Sequence, residues 1–550
     1  MSLGRTFRTA LSKDRLAWLG LYLLLALLGR YLAGSHLDGY GSYEDEPAHM
    51  VTASMMRSYA TGPTPLHPLE YVRDYYLHFP KVGVGQWPPV LHFFLGGLMI
   101  PLGVSRIAML LGSCLIAAMA ALATRTLARG CVPGPIASLL GVLFLALPLV
   151  QNLSGAAMTE LLLAAEGTFA VYSYARYMQD GKNYHALWFG FWTVLAVLTK
   201  GSGVGLVMVP ILAPLIAGKP SRMFSRGTVI SGITVGIVGL AWYTATLDYS
   251  QATWAGSGRT ASEYAFAAAS FYTSELVILL GSILSVLALI GLVVGHFDRE
   301  VRDQNAACLA WLIGLIACYL FVRTGIEMRH LAVLLPIAMV LSGRGAMWVW
   351  QALGWNSSRR AFPAAGLLIL GFSLQAFAPV SPSHRGYREA LQWAMQDPAL
   401  ETAPWLVCSD ASGEGLIVTE AVHLDPRHER LQILRSSKVL AFDDWLGNGY
   451  RENFQTPEEL GAFFRKVPVS LVFLDLSLWR RHYFPHHESV RRYLESNPDL
   501  FEVVHRGDMQ RNGVWYPKSL VIYRQVGFED LPRNLLTLDD VLHTGSPVDQ

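Results

Sequence analysis

Residues Leu276–Gly295 read LVILLGSILSVLALIGLVVG. The run carries no charged side chain, and its length matches the roughly twenty apolar residues that cross the hydrocarbon core of a bilayer as a helix. Similar runs recur from Leu16 to Val380 and then stop. They lie at Leu16–Gly34, Ile107–Thr124, Pro133–Val150, Leu161–Ala175, Ala186–Thr199, Val204–Ala217, Thr228–Tyr243, Leu276–Gly295, Ala306–Val322, Leu331–Trp348 and Phe362–Val380. These predict about eleven spans. A further apolar piece, Val90–Val104, is interrupted by Gly96, Gly97 and Pro101 and reads as a helix lying in the interface.

Composition agrees. Of 550 residues, 52% are hydrophobic and only 15% charged, whereas soluble domains are near a quarter charged. A net charge of +2 makes no case for nucleic acid. The five cysteines (Cys114, Cys131, Cys308, Cys318 and Cys408) show no metal-ligand spacing, and four sit in or beside apolar runs, so neither a disulfide framework nor a zinc knuckle is expected. The basic start (Arg5, Arg8, Lys13, Arg15) leads into Leu16–Gly34 without a small-residue cleavage pattern and reads as a retained first helix.

Basic loops set the orientation. With the N-terminus inside and Val90–Val104 interfacial, alternation places Arg125 and Arg129 inside. The same holds for Arg176 and Lys182, for Lys219, Arg222 and Arg226, for Arg299 and Arg302, and for Arg359 and Arg360. Counting Val90–Val104 as a span inverts all of them. An odd count therefore holds, and it puts residues 381–550 outside. That segment is polar, with β-like runs at Trp405–Cys408, Leu431–Leu434, Ser470–Leu474 and Leu520–Tyr523 and helical patterns at Pro457–Phe464 and Ser489–Leu494. The expected organisation is a transmembrane domain over 1–380, with a long first outer loop at 36–87, and one soluble α/β domain over 381–550 on the outer face.

The expected outer loops carry the chemistry. The first opens Tyr43-Glu44-Asp45-Glu46-Pro47-Ala48-His49. Pro47 suits the start of a helix, which puts Asp45 and Glu46 at a helix N-terminus, where a carboxylate is stabilised as the anion. The same loop ends Lys81-Val82-Gly83-Val84-Gly85-Gln86-Trp87-Pro88-Pro89. Lys81 falls at headgroup depth, where an ammonium suits a phosphate or simply snorkels; Trp87 suits a substrate contact or an interface anchor. Glu160 opens a helix after the next outer loop. Lys200, in Thr199-Lys200-Gly201-Ser202-Gly203, lies between two short apolar helices, a pointer to a site at the membrane boundary. The last cluster is Arg323, Glu327, Arg329 and His330, with Arg329 a natural phosphate partner and Glu327 a side chain able to pair with it. Each feature alone has a plain reading as a cap, a turn or a solvated helix start. Acids and bases from five separate segments on one face read differently.

This order resembles the GT-C superfamily of membrane glycosyltransferases. The likeness rests on Asp45-Glu46 after the first helix, Lys81 with Pro88-Pro89, Glu160 opening a helix, Lys200-Gly201, and Arg329 before Leu335-Pro336. It is nearest to the branch of protein O-mannosyltransferases and lipid A aminoarabinose transferases, and it covers Leu16–Val380. The resemblance implies an inner-membrane enzyme with its site on the periplasmic side. Such an enzyme moves a sugar with inversion from a polyprenyl monophosphate to a lipid, glycan or protein acceptor. It implies Asp45 as general base, Glu46 as its support, and Lys81, Lys200 and Arg329 as cations neutralising the leaving phosphate. The catalytic candidates are thus Asp45, Glu46 and Glu160; the substrate-binding candidates are Lys81, Lys200, Arg329, Glu327, Trp87 and His330. The chain departs from relatives in having Glu160 where Asp is common, and Pro47-Ala48-His49 where an aromatic or basic residue is common. Glu46 and His49, three apart on a helix, are a possible pair for a divalent cation, although one histidine and a few acids fit many roles without a metal, and no cofactor is required.

Two other classes compete. A transporter or flippase of lipid-linked sugars also needs boundary charge, but it usually carries ionisable groups mid-span and internal repeats, and neither stands out here. A membrane anchor for a binding domain needs far fewer helices. In the soluble segment, Ser412-Gly413-Glu414-Gly415 reads as a structural turn into a helix. His482, His486 and His487 read as decorating a surface loop, and the whole domain as covering the site or engaging the acceptor.

Overall fold

The apolar runs from Leu16–Gly34 to Leu331–Trp348 lie on α- or 3-10 helices in the computed structural model, which describes residues 13–41, 43–62, 67–247, 259–323, 325–354, 361–374, 384–442, 449–478 and 483–531; the run Phe362–Val380 is helical over its described part, and residues 375–380 lie outside the described residues. Five of these helices are individually long and apolar enough to span a bilayer, among the described residues: Lys13–Leu32, Arg106–Ala128, Arg226–Ala245, Ala261–Phe297 and Arg302–Phe321. A sixth span arises if Gly134–Ala146 and Pro148–Ser154, bent by 68° at a proline, count together. The protein is a multi-pass membrane protein.

The chain divides into two compact units. The first comprises Met1–Ala33, Gly85–Leu91 and Leu110–Val380. Its helices pack through small residues: a Cβ on Gly345 would lie 2.0 Å from the Leu287 carbonyl oxygen, and one on Gly291 would lie 2.0 Å from that of Leu341. Close backbone approach of this kind holds helices together where no hydrophobic drive separates lipid from protein. Large apolar side chains such as Ile237, Leu240, Phe266 and Leu289 remain exposed on the unit, as a lipid-facing surface requires. The 37-residue helix Ala261–Phe297 breaks at Gly281, whose φ of 73° only glycine adopts readily.

The second unit comprises Gly34–Val84, His92–Met109 and Ser381–Gln550. Residues 34–84 thus pack with the C-terminal segment. At its centre is a sheet of five strands in the order β2-β1-β5-β7-β6. β1 (Trp405–Cys408) runs parallel to both β2 (Ile433–Arg435) and β5 (Leu471–Asp475), and β6 (Phe501–Arg511) and β7 (Val514–Gln525) complete it antiparallel. A separate pair, β3 (Ala441–Phe442) and β4 (Arg451–Glu452), is antiparallel. The core strands are buried along their length and read as continuous apolar runs, as parallel strands covered on both faces do. Leu460, Phe464, Tyr493, Leu494 and Phe501 fill one side.

His486 and His487 are not surface decoration. Both are buried on the helix Pro485–Ser496. His486 is held by the Tyr450 hydroxyl (3.0 Å) and Ser436 Oγ (3.2 Å), and burial pushes its pKa down to about 3. His487 contacts the Ser409 carbonyl at 3.0 Å. Two adjacent histidines followed by an acid look solvated in sequence, but a proline-started helix turned both inward. His482 lies outside the described residues.

Candidate active site

In the first unit, the helix Glu160–Asp180 begins with a carboxylate that is fully buried. Its Oε1 takes Lys200 Nζ at 2.6 Å and lies 3.6 Å from Arg329 Nε. Its Oε2 is buried without a hydrogen-bond partner among the described residues. Arg329 is also held by Glu327 through Nη2 at 2.7 Å, and its Nη1 lies 3.9 Å from the Met158 sulfur. Two cations from segments far apart in sequence are thus fastened on one buried oxygen. The Lys200 side chain retains 20% exposure and that of Arg329 retains 10%. A desolvated ammonium and guanidinium presented together suit a phosphate.

Local backbone geometry explains how Lys200 arrives there. The helix Asn183–Val197 ends, Lys200 is extended, and a 3-10 turn follows over Gly201–Met208. A Cβ on Gly203 would lie 2.4 Å from the Ala196 carbonyl oxygen, so this turn requires glycine. Val90 N donates to the Leu198 carbonyl at 3.0 Å, which ties the stretch after Trp87 to the same turn. Trp87 itself is partly buried in this unit. His330 is buried: Tyr272 Oη contacts its Nδ1 at 2.8 Å, and the Tyr319 hydroxyl donates to its carbonyl at 2.8 Å.

In the second unit, Asp45 is the N-cap of the helix Glu46–Thr61, with Pro47 at its start as expected. Glu46 is fully buried, and both its oxygens are engaged: Oε1 with Arg106 Nη1 at 3.1 Å and Oε2 with the Gly41 amide at 3.0 Å. The Arg106 guanidinium also lies over the Tyr40 ring at 4.8 Å. His49 Nδ1 lies 2.9 Å from His92 Nε2. A cation shared by Glu46 and His49 would therefore have to displace Arg106 or the Gly41 amide.

Lys81 is seated by the soluble segment. A Cβ on Gly415 would lie 2.9 Å from the Pro47 ring and 3.3 Å from Lys81 Cε, so the helix Ala411–Leu424 approaches both closely. Arg435 donates to the Pro80 carbonyl at 3.2 Å and to buried Glu414 at 2.9 Å. Burial and then the Arg435 charge push the Lys81 pKa down to about 7, against the opposing pull of Asp45 and Glu414. The Ser412–Gly415 stretch is the first turn of that helix, capped by the Asp410 carboxylate on the Gly413 amide at 2.8 Å.

Glu160, Lys200, Glu327, Arg329 and His330 are thus gathered in one unit, and Asp45, Glu46 and Lys81 in the other. Sequence reasoning missed the partners: Arg106 for Glu46, and Glu414 with Arg435 beside Lys81. It also missed Glu166, buried in the helix Glu160–Asp180, which accepts a hydrogen bond from Thr199 at 3.1 Å and leaves Oε2 without a hydrogen-bond partner among the described residues. A lone acid six residues into an apolar helix is the signal that was available.

No model of a known protein family matches the chain, and no curated protein matches it. Solved structures do. ArnT from Cupriavidus metallidurans in the apo state superposes with a TM-score of 0.56 at 13% identity, over 95% of this chain and 100% of that one. ArnT bound to undecaprenyl phosphate gives 0.55 at 12% identity, over 93% and 98%. The archaeal oligosaccharyltransferase AglB from Archaeoglobus fulgidus, in complex with an inhibitory peptide and a dolichol-phosphate, gives 0.50 at 12%, over 84% and 69%. The chain shares the fold of these solved structures. Full-length coverage of ArnT extends the likeness beyond Leu16–Val380 into the soluble segment, which the sequence resemblance did not reach.

Proposed function

We propose that the protein is an inverting glycosyltransferase that takes a sugar from a polyprenyl monophosphate and passes it to a lipid, glycan or protein acceptor. In a Gram-negative cell it would work on the periplasmic face of the inner membrane. The observation that carries this reading is the Lys200–Glu160–Arg329 arrangement, two cations held ready by one buried carboxylate on a GT-C fold. An acceptor oxygen forms its bond to the anomeric carbon as the bond from that carbon to the phosphate oxygen breaks. Asp45 takes the acceptor's proton, with Glu46 fixing the start of its helix through Arg106. Lys200 and Arg329 stabilise charge developing on the leaving phosphate, a term often worth several kcal/mol. Lys81 contributes a third cation, oriented by Arg435 and Glu414. Trp87, Glu327 and His330 shape substrate binding.

The test is transfer of radiolabelled sugar from a panel of polyprenyl-phosphate sugars in proteoliposomes, with Asp45→Asn beside wild type. The reading expects transfer by wild type and its collapse in a folded Asp45→Asn protein. Labelled lipid crossing the bilayer with no donor consumed would favour a transporter instead.

A further inference from the structure

Away from the acids and bases above, the second unit brings Asp74, His78 and His428 together, with one ligand atom from each lying within 4.8 Å of the others. We infer that these three side chains form a zinc site that staples the helix Pro68–His78 of the first outer loop to the loop after Ala411–Leu424 of the soluble segment.

The donor set is suited to zinc. Two imidazoles and one carboxylate match a borderline-soft ion, whereas magnesium and calcium take oxygen ligands. Asp74 and His78 are four apart on one helix, so they share a face. The His78 ring is already committed to the tautomer a metal needs. Its Nδ1 lies 3.0 Å from the Asp74 backbone carbonyl, an acceptor, so Nδ1 carries the proton and Nε2 offers its lone pair. Metal-ligating histidines are generally oriented by such a bond from the far nitrogen.

The third ligand is presented by a rigid loop. The Asp425 carboxylate accepts from the amides of Glu429 (3.1 Å), Arg430 (2.8 Å) and Leu431 (2.9 Å), closing a turn around His428. Within it His428 holds a φ of 52°, a left-handed conformation that a side-chain-bearing residue adopts only when its surroundings impose it. Tyr71 and Tyr75 pack edge-on against its ring at 5.3 and 4.8 Å. His428 Nε2 then lies 2.8 Å from Asp74 Oδ2. Two ligands on a tetrahedral zinc stand somewhat farther apart, about 3.4 Å for bonds near 2.1 Å, so this contact would open by about half an ångström as the ion takes the place of the proton on Nε2, the neutral imidazole then carrying its one N–H on Nδ1. Three protein ligands leave a fourth position for water.

Zinc titration of the full-length protein, purified in detergent without a polyhistidine tag and stripped with a chelator, decides the matter. Wild type should bind one Zn²⁺ per chain and show the visible absorption of tetrahedral Co²⁺ when cobalt is used as the probe. Zinc should also raise its unfolding temperature. His78→Gln and His428→Gln should each weaken binding at least tenfold, while His296→Gln, on an unrelated helix, should leave it unchanged. A wild type that takes up no zinc at micromolar concentrations overturns the proposal, as does binding that persists in the His78→Gln/His428→Gln double variant.

Discussion

Glu160 of the membrane unit and Glu414 of the soluble segment are both fully buried carboxylates beside cations, yet they are satisfied differently. Glu414 uses both oxygens: Arg435 at 2.9 Å, Ser436 Oγ at 2.9 Å and the Ser437 amide at 2.9 Å, with the Ser437 hydroxyl in addition. Glu160 gives one oxygen to two cations and leaves the other without a hydrogen bond among the described residues. Saturation is the mark of a structural ion pair, whose purpose is to keep a buried charge compensated. Glu160 shares Arg329 with the more exposed Glu327, a partner that an incoming anion could displace from the guanidinium. Glu46, saturated by Arg106 and Gly41, is fully buried, whereas Asp45 at the helix cap is partly exposed.

Substitutions that break this contrast have graded effects. The largest is expected at Lys200 and Arg329. Replacing either with methionine should lower transfer by roughly 10²–10³-fold, the usual loss when one preorganised charge partner of a transition state is removed, read as kcat/KM with the lipid donor. Glu414→Ala strands buried Arg435 and should cost about 3–5 kcal/mol of stability, measured by denaturant unfolding. Glu160→Gln should instead act mainly on donor KM. Equal losses of stability in the two variants would erase the distinction.

A smaller effect attaches to pH. Burial holds Lys81 near 7, below its ordinary 10.5. Between those values the unfolded chain binds the proton and the folded chain does not, so this group's contribution to stability rises as pH climbs from about 7 toward 10.5. Donor binding moves the other way, because only the ammonium attracts phosphate. Donor KM should therefore rise above about pH 7 in wild type and lose that inflection in Lys81→Met. The smallest expected effect is Gly415→Ala, whose Cβ would meet Pro47 at 2.9 Å. Overpacking of this kind costs about 1–3 kcal/mol and should reach activity only through Lys81.

Much of this was legible in the chain. Charge-free runs such as Leu276–Gly295 have one physical outcome, so the helices were readable, and β1 at Trp405–Cys408 was read residue for residue. The kink at Gly281 and the bend at Pro148 were not, because apolar runs look continuous through them. Asp45, Glu160, Lys200 and Arg329 stood out as charges at the ends of apolar segments. Their organisers did not. Glu414 and Arg435 lie 21 residues apart on a helix and a strand, and only tertiary folding joins them to Lys81. Glu166 was hidden because one acid barely alters the hydropathy of a helix. β6 escaped because Phe501–Arg511 is mostly polar and breaks the alternation of a strand at Val503-Val504 and His505-Arg506.

The central claim is that the cations on Glu160 receive a lipid phosphate. Its most direct test is equilibrium binding of a sugar-free polyprenyl monophosphate to the purified protein, comparing wild type with the Lys200→Met/Arg329→Met double variant. The account predicts at least a hundredfold loss of affinity in the double variant, consistent with about 1.5–3 kcal/mol for each charge-assisted contact, with the variant still folded. Affinity within twofold of wild type would contradict it.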